Sequence, residues 1–154
     1  MPKLSIVVPV WNTLPEKLDK CLKSMFSQKD VDFRQVEVLV VDSSDADAQQ
    51  EVANSYPCKI VRSKTRLMLG VARNAGHKYS AGEYLWFVDA DDWISEGCLS
   101  KILRRLDGKT DIFFAPFKKL STGKTLFCKP TTPEEFAVLP VAAWNKVYKR
   151  EHYA

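Results

Sequence analysis

Tyr84-Leu85-Trp86-Phe87-Val88-Asp89-Ala90-Asp91-Asp92 decides how the rest of the chain is read. Five apolar residues in succession, three of them aromatic, are too few for a helix and read as a strand buried on both faces. The run then breaks into three carboxylates within four positions. Working outward, residues 70–79 read as a helix before this strand. After it, Leu99, Ile102, Leu103 and Leu106 share one helical face, with Ser95 placed to cap the start and Gly108 to stop the end. Residues 111–115 read as a further strand.

Nearer the N-terminus the same alternation holds. Residues 4–10 are a β-branched run that reads as a buried strand. Thr13 and Glu16 are spaced as a capping box with Pro15 in the first turn, and Leu18, Cys21, Leu22 and Met25 repeat at i, i+3, i+4, i+7. Residues 36–41 form a second apolar strand ending at Asp42, a helix follows through Val52 and Tyr56, and residues 59–62 make a short third strand. Strands alternating with helices, several of them apolar throughout, predict an α/β fold with a mainly parallel sheet covered on both faces. Beyond Pro116 the pattern weakens around Gly123, Pro130, Pro133 and Pro140, with one short helix expected around Glu134 and another over residues 143–150.

Composition narrows the class. At 154 residues, 45% hydrophobic and 27% charged, the chain is long enough for one core without disulfide or metal staples. Cys21, Cys58, Cys98 and Cys128 contain no CxxC pair, which argues against a zinc ribbon or dithiol motif and favours a reduced, cytoplasmic setting. The apolar run at residues 4–10 is too short to span a bilayer and lacks a cleavage site, so no membrane span or export signal is expected. Residues 1–100 carry a net charge of −2 and residues 101–154 one of +6. The basic part can face an anionic partner or simply form a solvated surface.

In an open α/β sheet, ligands bind beyond the carboxyl ends of the strands. Three predicted strands end in residues suited to a nucleotide: Trp11-Asn12, Asp42, and Asp89 with Asp91 and Asp92. Clustered carboxylates repel one another unless a cation is present, and hard oxygen ligands favour Mg2+ or Mn2+. In isolation the same cluster can be a solvated loop with Asp92 capping a helix. Arg73, at the start of a helix, can pair with a diphosphate or stand exposed. Trp11 can stack on a base or pack at the sheet edge. The segment Gly70-Val71-Ala72-Arg73-Asn74-Ala75-Gly76 is no GxGxxG fingerprint, and no Walker motif occurs, which disfavours dinucleotide and P-loop chemistry. Residues 13–17 hold no glycine, which disfavours a nucleotidyltransferase loop. His77 and His152 lack partners at metal-ligand spacing.

Together, Ser5-Ile6-Val7-Val8-Pro9-Val10-Trp11-Asn12, Val40-Val41-Asp42-Ser43-Ser44-Asp45-Ala46-Asp47, Gly70-Val71-Ala72-Arg73-Asn74-Ala75-Gly76 and Phe87-Val88-Asp89-Ala90-Asp91-Asp92-Trp93 resemble the successive motifs of family 2 glycosyltransferases. Residues 143–150, Ala-Trp-Asn-Lys-Val-Tyr-Lys-Arg, resemble a further block of bacterial polysaccharide-synthesising members. The resemblance implies a GT-A, Rossmann-like three-layer sandwich. It implies a nucleotide-sugar-binding core over residues 1–115 and the start of an acceptor-side region over 116–154. Implied activity is inverting, metal-dependent transfer from a nucleotide-diphosphate sugar to a glycan or lipid-linked acceptor, with Mn2+ or Mg2+ as cofactor and no nucleic-acid partner.

By the same resemblance, Pro9, Trp11, Asp42, Arg73 and Asp89 contact the donor nucleotide, and Asp91 with Asp89 holds the metal. Two departures stand out. Ser43 occupies a place where many members carry an aspartate against uracil. No Glu-Asp pair, the family's usual source of the general base, occurs in the chain, so no base is assigned and a catalytically silent nucleotide-sugar-binding module is the alternative. The cluster Trp144, Tyr148, Lys149 and Arg150 is a candidate peripheral contact with the inner face of a membrane, or else a packed pair of aromatics with outward charges.

Overall fold

β1 (Leu4–Val10) runs through the middle of the molecule, buried at every position. Because successive side chains of a strand point to opposite faces, its seven residues serve two cores. Leu4, Ile6, Val8 and Val10 pack in one cluster with Leu18, Cys21, Leu22 and Met25 of α1 (Pro15–Phe26), Ala53 of α2 (Ala48–Asn54) and Leu99 of α4 (Cys98–Arg105). On the other face Val7 packs with Val41, Leu85, Phe87 and Ala72 of α3 (Leu69–Tyr79). These two clusters make the three layers: helices, sheet, helix. The computed structural model describes residues 1–118, 123, 125–126 and 143–153.

β1 pairs in parallel with β2 (Val36–Asp42) on one side and β4 (Tyr84–Phe87) on the other, and β3 (Lys59–Arg62) extends the sheet beyond β2. Beyond β4 comes β8 (Lys146–Lys149), antiparallel, and then β5 (Ile112–Phe114), giving the order β3-β2-β1-β4-β8-β5. β6 (Phe117–Lys118) and β7 (Thr125–Leu126) form a separate antiparallel pair. The expected α/β three-layer sandwich with a mainly parallel sheet is therefore the observed one.

Some local expectations are corrected. The helix expected over residues 143–150 is instead β8 followed by a 3₁₀ turn at Arg150–His152. Lys146-Val147-Tyr148-Lys149 alternates well enough to fill the gap between β4 and β5, where Val147 is 1% exposed; two open strand edges outweigh a weak helical preference. α1 has Leu14, not Thr13, at its N-cap and no side-chain cap, so Pro15 alone marks its start. α4 begins only at Cys98, behind Gly97 in the left-handed region, and Ser95 does not cap it. The helix expected around Glu134 falls outside the described residues. Among the described residues no helix is long and apolar enough to cross a membrane.

Gly76 sets how closely α3 lies on the sheet. A Cβ at Gly76 would stand 2.2 Å from Cγ1 of Val7, so only the missing side chain lets α3 seat on β1. This contact fixes the height of Arg73, one turn earlier on the same helix.

Candidate functional site

The strand order places a reversal beside β1. The chain moves outward from β1 to β2 and β3, then returns across the sheet to β4. The crevice between the carboxyl ends of β1 and β4 is thus a topological switch point, where open α/β sheets bind ligands. Trp11 leaves the end of β1, Asp42 closes β2 and Asp89 follows β4 by two residues. Parallel register brings them to one rim: Val10 is level with Asp42, and the Val88 amide donates to the Val7 carbonyl at 3.0 Å.

Arg73 crosses this crevice. Its Nη2 lies 3.1 Å from Oδ1 of Asp89, and its side chain is only 16% exposed. The exposed helical arginine of the alternative reading is thereby excluded. Its Nε is buried with no hydrogen-bond partner, an uncommon state for a guanidinium and one that leaves a donor available. Arg73 and Asp89, 16 residues apart, are the predicted site residues that the fold joins most directly.

Asp89, Ala90, Asp91 and Asp92 form a tight turn in which the Asp92 amide donates to the Asp89 carbonyl at 3.0 Å. Asp91 and Asp92 are exposed, and Asp89 is half-buried. Partial burial, then the nearby charges of Asp91 and Asp89, raise the Asp92 pKa above the usual carboxylate value. The same three carboxylates add to burial in pushing the Cys21 thiol up to about 12, so Cys21 stays an inert, protonated core residue. Among the described residues no three metal-ligating side chains are gathered into one site. Two crowded carboxylates at an open rim nevertheless fit a hard divalent ion that takes its remaining ligands from phosphate oxygens and water.

The turn and the segment after it are held from α1 and the residues just beyond its end. Gln28 is 7% exposed; its Nε2 donates to the carbonyls of Ser24 (2.9 Å) and Ser95 (3.0 Å), and its Oε1 accepts from the Leu99 amide (3.3 Å). Ser24 Oγ accepts from the Ile94 amide at 3.1 Å, and the Lys20 ammonium sits 3.2 Å above the Trp93 ring. Sequence reading missed these residues, because a glutamine just past a helix end carries no sign of the loop it will bind.

On the β1–β2 side the backbone of Asp42 lies at the rim, but its side chain does not face the crevice. Its side chain is wholly buried, paired with Arg62 and accepting from the Ser44 amide at 2.9 Å. Arg62 Nη2 also donates to the carbonyl of Ser44 (2.9 Å), and the loop is tied a second time by Asn12. The Asn12 backbone N–H donates to Ser44 Oγ (2.9 Å), and its side chain exchanges hydrogen bonds with Asp45 (2.6 and 3.0 Å). Asn12 adopts a positive φ of 50°, a conformation asparagine tolerates better than most residues.

Between this loop and α3 lies a pocket of about 250 Å³, lined by Pro9, Val10, Trp11, Ser43, Arg66 and Ala72 among others. Trp11 is 42% exposed, and the Arg66 guanidinium lies 3.5 Å from its ring centroid. Arg62 and Arg66 were not singled out from sequence, although Arg62-Ser63-Lys64-Thr65-Arg66 places three cations in five residues just after a strand. Ala72 lines the pocket and Arg73 reaches Asp89, so one helix joins the pocket to the carboxylates. A larger groove of about 390 Å³ lies at the opposite end of the sheet, around Lys3, Asp32, Gln35 and Arg104, away from every strand-end carboxylate.

Of the basic C-terminal cluster, Tyr148 packs its ring inward. Trp144 accepts from Trp86 Nε1 through its carbonyl at 2.8 Å, and the Tyr148 ring packs near Phe87 (6.2 Å) and Tyr153 (5.5 Å). Lys149 pairs with Glu151 at 2.6 Å.

Comparison with known proteins identifies the architecture. The chain is 28% identical to the putative glycosyltransferase EpsH of Bacillus subtilis (strain 168), over 97% of this chain and 47% of that protein. It is 31% identical to the poly(ribitol-phosphate) beta-glucosyltransferase of Bacillus spizizenii, over 86% of this chain and 22% of that protein. Among solved structures, S. aureus TarS 1-349 in complex with UDP-GlcNAc superposes with a TM-score of 0.80 at 25% identity, covering 96% of this chain and 45% of that one. The mannosyltransferase PcManGT from Pyrobaculum calidifontis, in complex with GDP-Man and Mn2+, shares the fold with a TM-score of 0.70 at 22% identity, over 97% of this chain and 45% of that one. The chain spans about half the length of the first of these relatives. The model of glycosyl transferase family 2 matches residues 5–152, and with the crevice, the crossing arginine and the strand-end carboxylates in place the chain belongs to that family.

Proposed function

We propose that this chain binds the nucleotide-diphosphate sugar of an inverting, metal-dependent glycosyltransferase. The observation that carries this reading is the Arg73–Asp89 bridge across the β1/β4 crevice, flanked on one side by the Trp11 pocket and on the other by Asp91. The base enters the pocket beside Pro9 and Trp11, which at about 250 Å³ is smaller than the roughly 300–1,000 Å³ of a whole-ligand site and matches a ring better than an entire donor. Arg73 then exchanges part of its bond to Asp89 for diphosphate oxygens. Asp42 acts from beneath, fixing the loop through Arg62. Asp91 and Asp89 hold Mn2+ or Mg2+, which supplies charge stabilisation to the leaving diphosphate when bound.

Residues 1–115 form the donor core in this reading, and residues 116–154 begin the acceptor side, with β8 returning to complete the sheet. The acceptor is a glycan or a lipid-linked saccharide of polysaccharide biosynthesis, and the setting is cytoplasmic, with peripheral contact to an anionic membrane through Lys149, Arg150 and neighbouring cations. Calorimetry with UDP, GDP and dTDP, each with and without Mn2+, tests the core of the proposal. Absence of binding to all three in the presence of the metal would overturn it.

A silent nucleotide-sugar module is the second reading, and one observation favours it. Glu151, the one glutamate described beyond residue 115, is bound to Lys149, which holds its carboxyl below the usual value. A carboxylate so engaged makes a poor general base. Incubation with a panel of nucleotide sugars and assay for released nucleoside diphosphate separates the readings, because the module binds without turnover.

A further inference from the structure

Three arginines surround the donor pocket, and they differ in how far they are committed. Arg62 is locked on Asp42 and the carbonyl of Ser44. Arg73 is half-committed to Asp89. Arg66 rests on the Trp11 ring at 3.5 Å and has no carboxylate partner among the described residues.

That difference bears on what the pocket can recognise. Arg66 is the one charged side chain among the described residues that line it. Asp42 is buried and turned to Arg62, so no carboxylate faces the void. Ser43 is 3% exposed, and its hydroxyl already donates to the Val10 carbonyl at 3.4 Å. The hydrogen-bonding capacity of the side chains around this pocket is therefore dominated by N–H donors of one guanidinium. A guanidinium has five such donors in a planar fork and no acceptor, and stacking on an aromatic face holds that plane.

Resting on the nucleotide-donor reading above, we propose that Arg66 selects the nucleobase. Held over Trp11, it donates to a carbonyl oxygen on the base edge, so the chain takes keto bases, uracil or guanine, over amino bases, cytosine or adenine. The two classes differ at one position in the relevant way. Uracil presents an oxygen acceptor where cytosine presents an amino donor, and guanine does so where adenine presents its amino group. An amino base would oppose donor to donor, leaving both unpaired in a pocket partly closed to water.

The test is isothermal titration of the full 154-residue chain in Mn2+ with UDP and CDP, then GDP and ADP, for the wild type, Arg66→Ala and Arg66→Lys. Arg66 is exposed, so its replacement spares the core; circular dichroism checks the fold. Wild type should bind UDP about tenfold or more tightly than CDP, in line with a hydrogen bond to a charged donor. Arg66→Ala should bring that ratio close to one chiefly by weakening UDP, and Arg66→Lys should retain part of it. A ratio unchanged in Arg66→Ala overturns the proposal, as does equal weakening of both nucleotides, which would put Arg66 on the phosphates. In either case the donor reading survives, since the wild type still binds. A wild type that binds no nucleoside diphosphate overturns both.

Discussion

Gly76→Ala examines whether the close seating of α3 on β1 positions the site. The added Cβ would meet Val7 Cγ1 at 2.2 Å and Cγ2 at 3.0 Å, and Val7 is fully buried, so its isopropyl group has nowhere to turn. Overpacking of this kind costs about 1–3 kcal/mol, and an overlap this deep belongs at the upper end. The helix gains about 1 kcal/mol when alanine replaces glycine. A net loss of about 2 kcal/mol follows, measurable as a lowered urea midpoint at unchanged slope. Val7→Ala alone loses two buried methyl groups, about 1.6 kcal/mol of transfer free energy plus a cavity contribution. In the double variant both obstructing methyls are gone, but Val7 Cβ remains 3.1 Å from the new methyl, so relief is partial. The double variant should be more stable than the sum of the singles by at least about 1 kcal/mol. Additivity within about 0.5 kcal/mol would refute the reasoning, since independent sites behave so. Because Arg73 lies one turn before Gly76, the single glycine variant should also bind UDP more weakly, and Val7→Ala should restore part of that binding.

Other expectations concern the site and its surroundings. Arg73→Met should weaken UDP about 10- to 150-fold by calorimetry, the equivalent of a charged hydrogen bond of about 1.5–3 kcal/mol; an unchanged affinity would remove Arg73 from the diphosphate. Asp91→Asn should bind UDP equally with and without Mn2+, and a metal enhancement as large as that of the wild type would count against Asp91 as a ligand. The Asp107 carboxyl is held down to about 2, against an ordinary 3.8, chiefly by the Thr110 and Lys109 amides. Because the value is lowered in the folded state, the stabilisation is complete above the unfolded value and fades as pH falls through the folded one. Asp107→Ala should therefore unfold at lower temperature at pH 7, with the gap to wild type closing between pH 3.8 and about 2; a gap independent of pH would refute this.

Strand-end chemistry was legible in the sequence because apolar runs that stop abruptly at polar residues report their own ends. Leu4–Val10 and Tyr84–Phe87 are such runs, and their ends place Trp11 and Asp89 on one rim. Arg73 was legible as a candidate but not as a partner, since nothing in the spacing of Arg73 and Asp89 shows that α3 lies on β1 with Arg73 reaching the residues that follow β4. The role of Asp42 was less accessible still. A carboxylate at a strand end looks the same whether it faces a ligand or a buried arginine, and the distinction depends on the register that sets Asp42 beside Arg62 across β2 and β3. β8 escaped because its formation is decided by two strand edges distant in sequence, not by its own residues.

β8 also shapes the surroundings of Arg73. By pairing with β4, it brings Tyr148 beside Phe87, and Tyr153 follows to within 4.9 Å of the same ring. Burial and Tyr153 raise the Tyr148 pKa, while the positive charge of Arg73 acts in the opposite sense. The Phe87 ring centroid lies 5.9 Å from Arg73 Cζ. Packed against rings with its Nε unsatisfied, the guanidinium cannot retreat into solvent without losing that packing, and it cannot satisfy all its donors on Asp89 alone. An anion arriving in the crevice therefore meets a cation already desolvated, aligned and short of acceptors, which is the condition under which a charged hydrogen bond contributes most to binding. Tyr148 and Tyr153, which form that wall with Phe87, lie 61 and 66 positions beyond it in sequence, so the surroundings of Arg73 are complete only once residues 143–153 pack onto the first hundred.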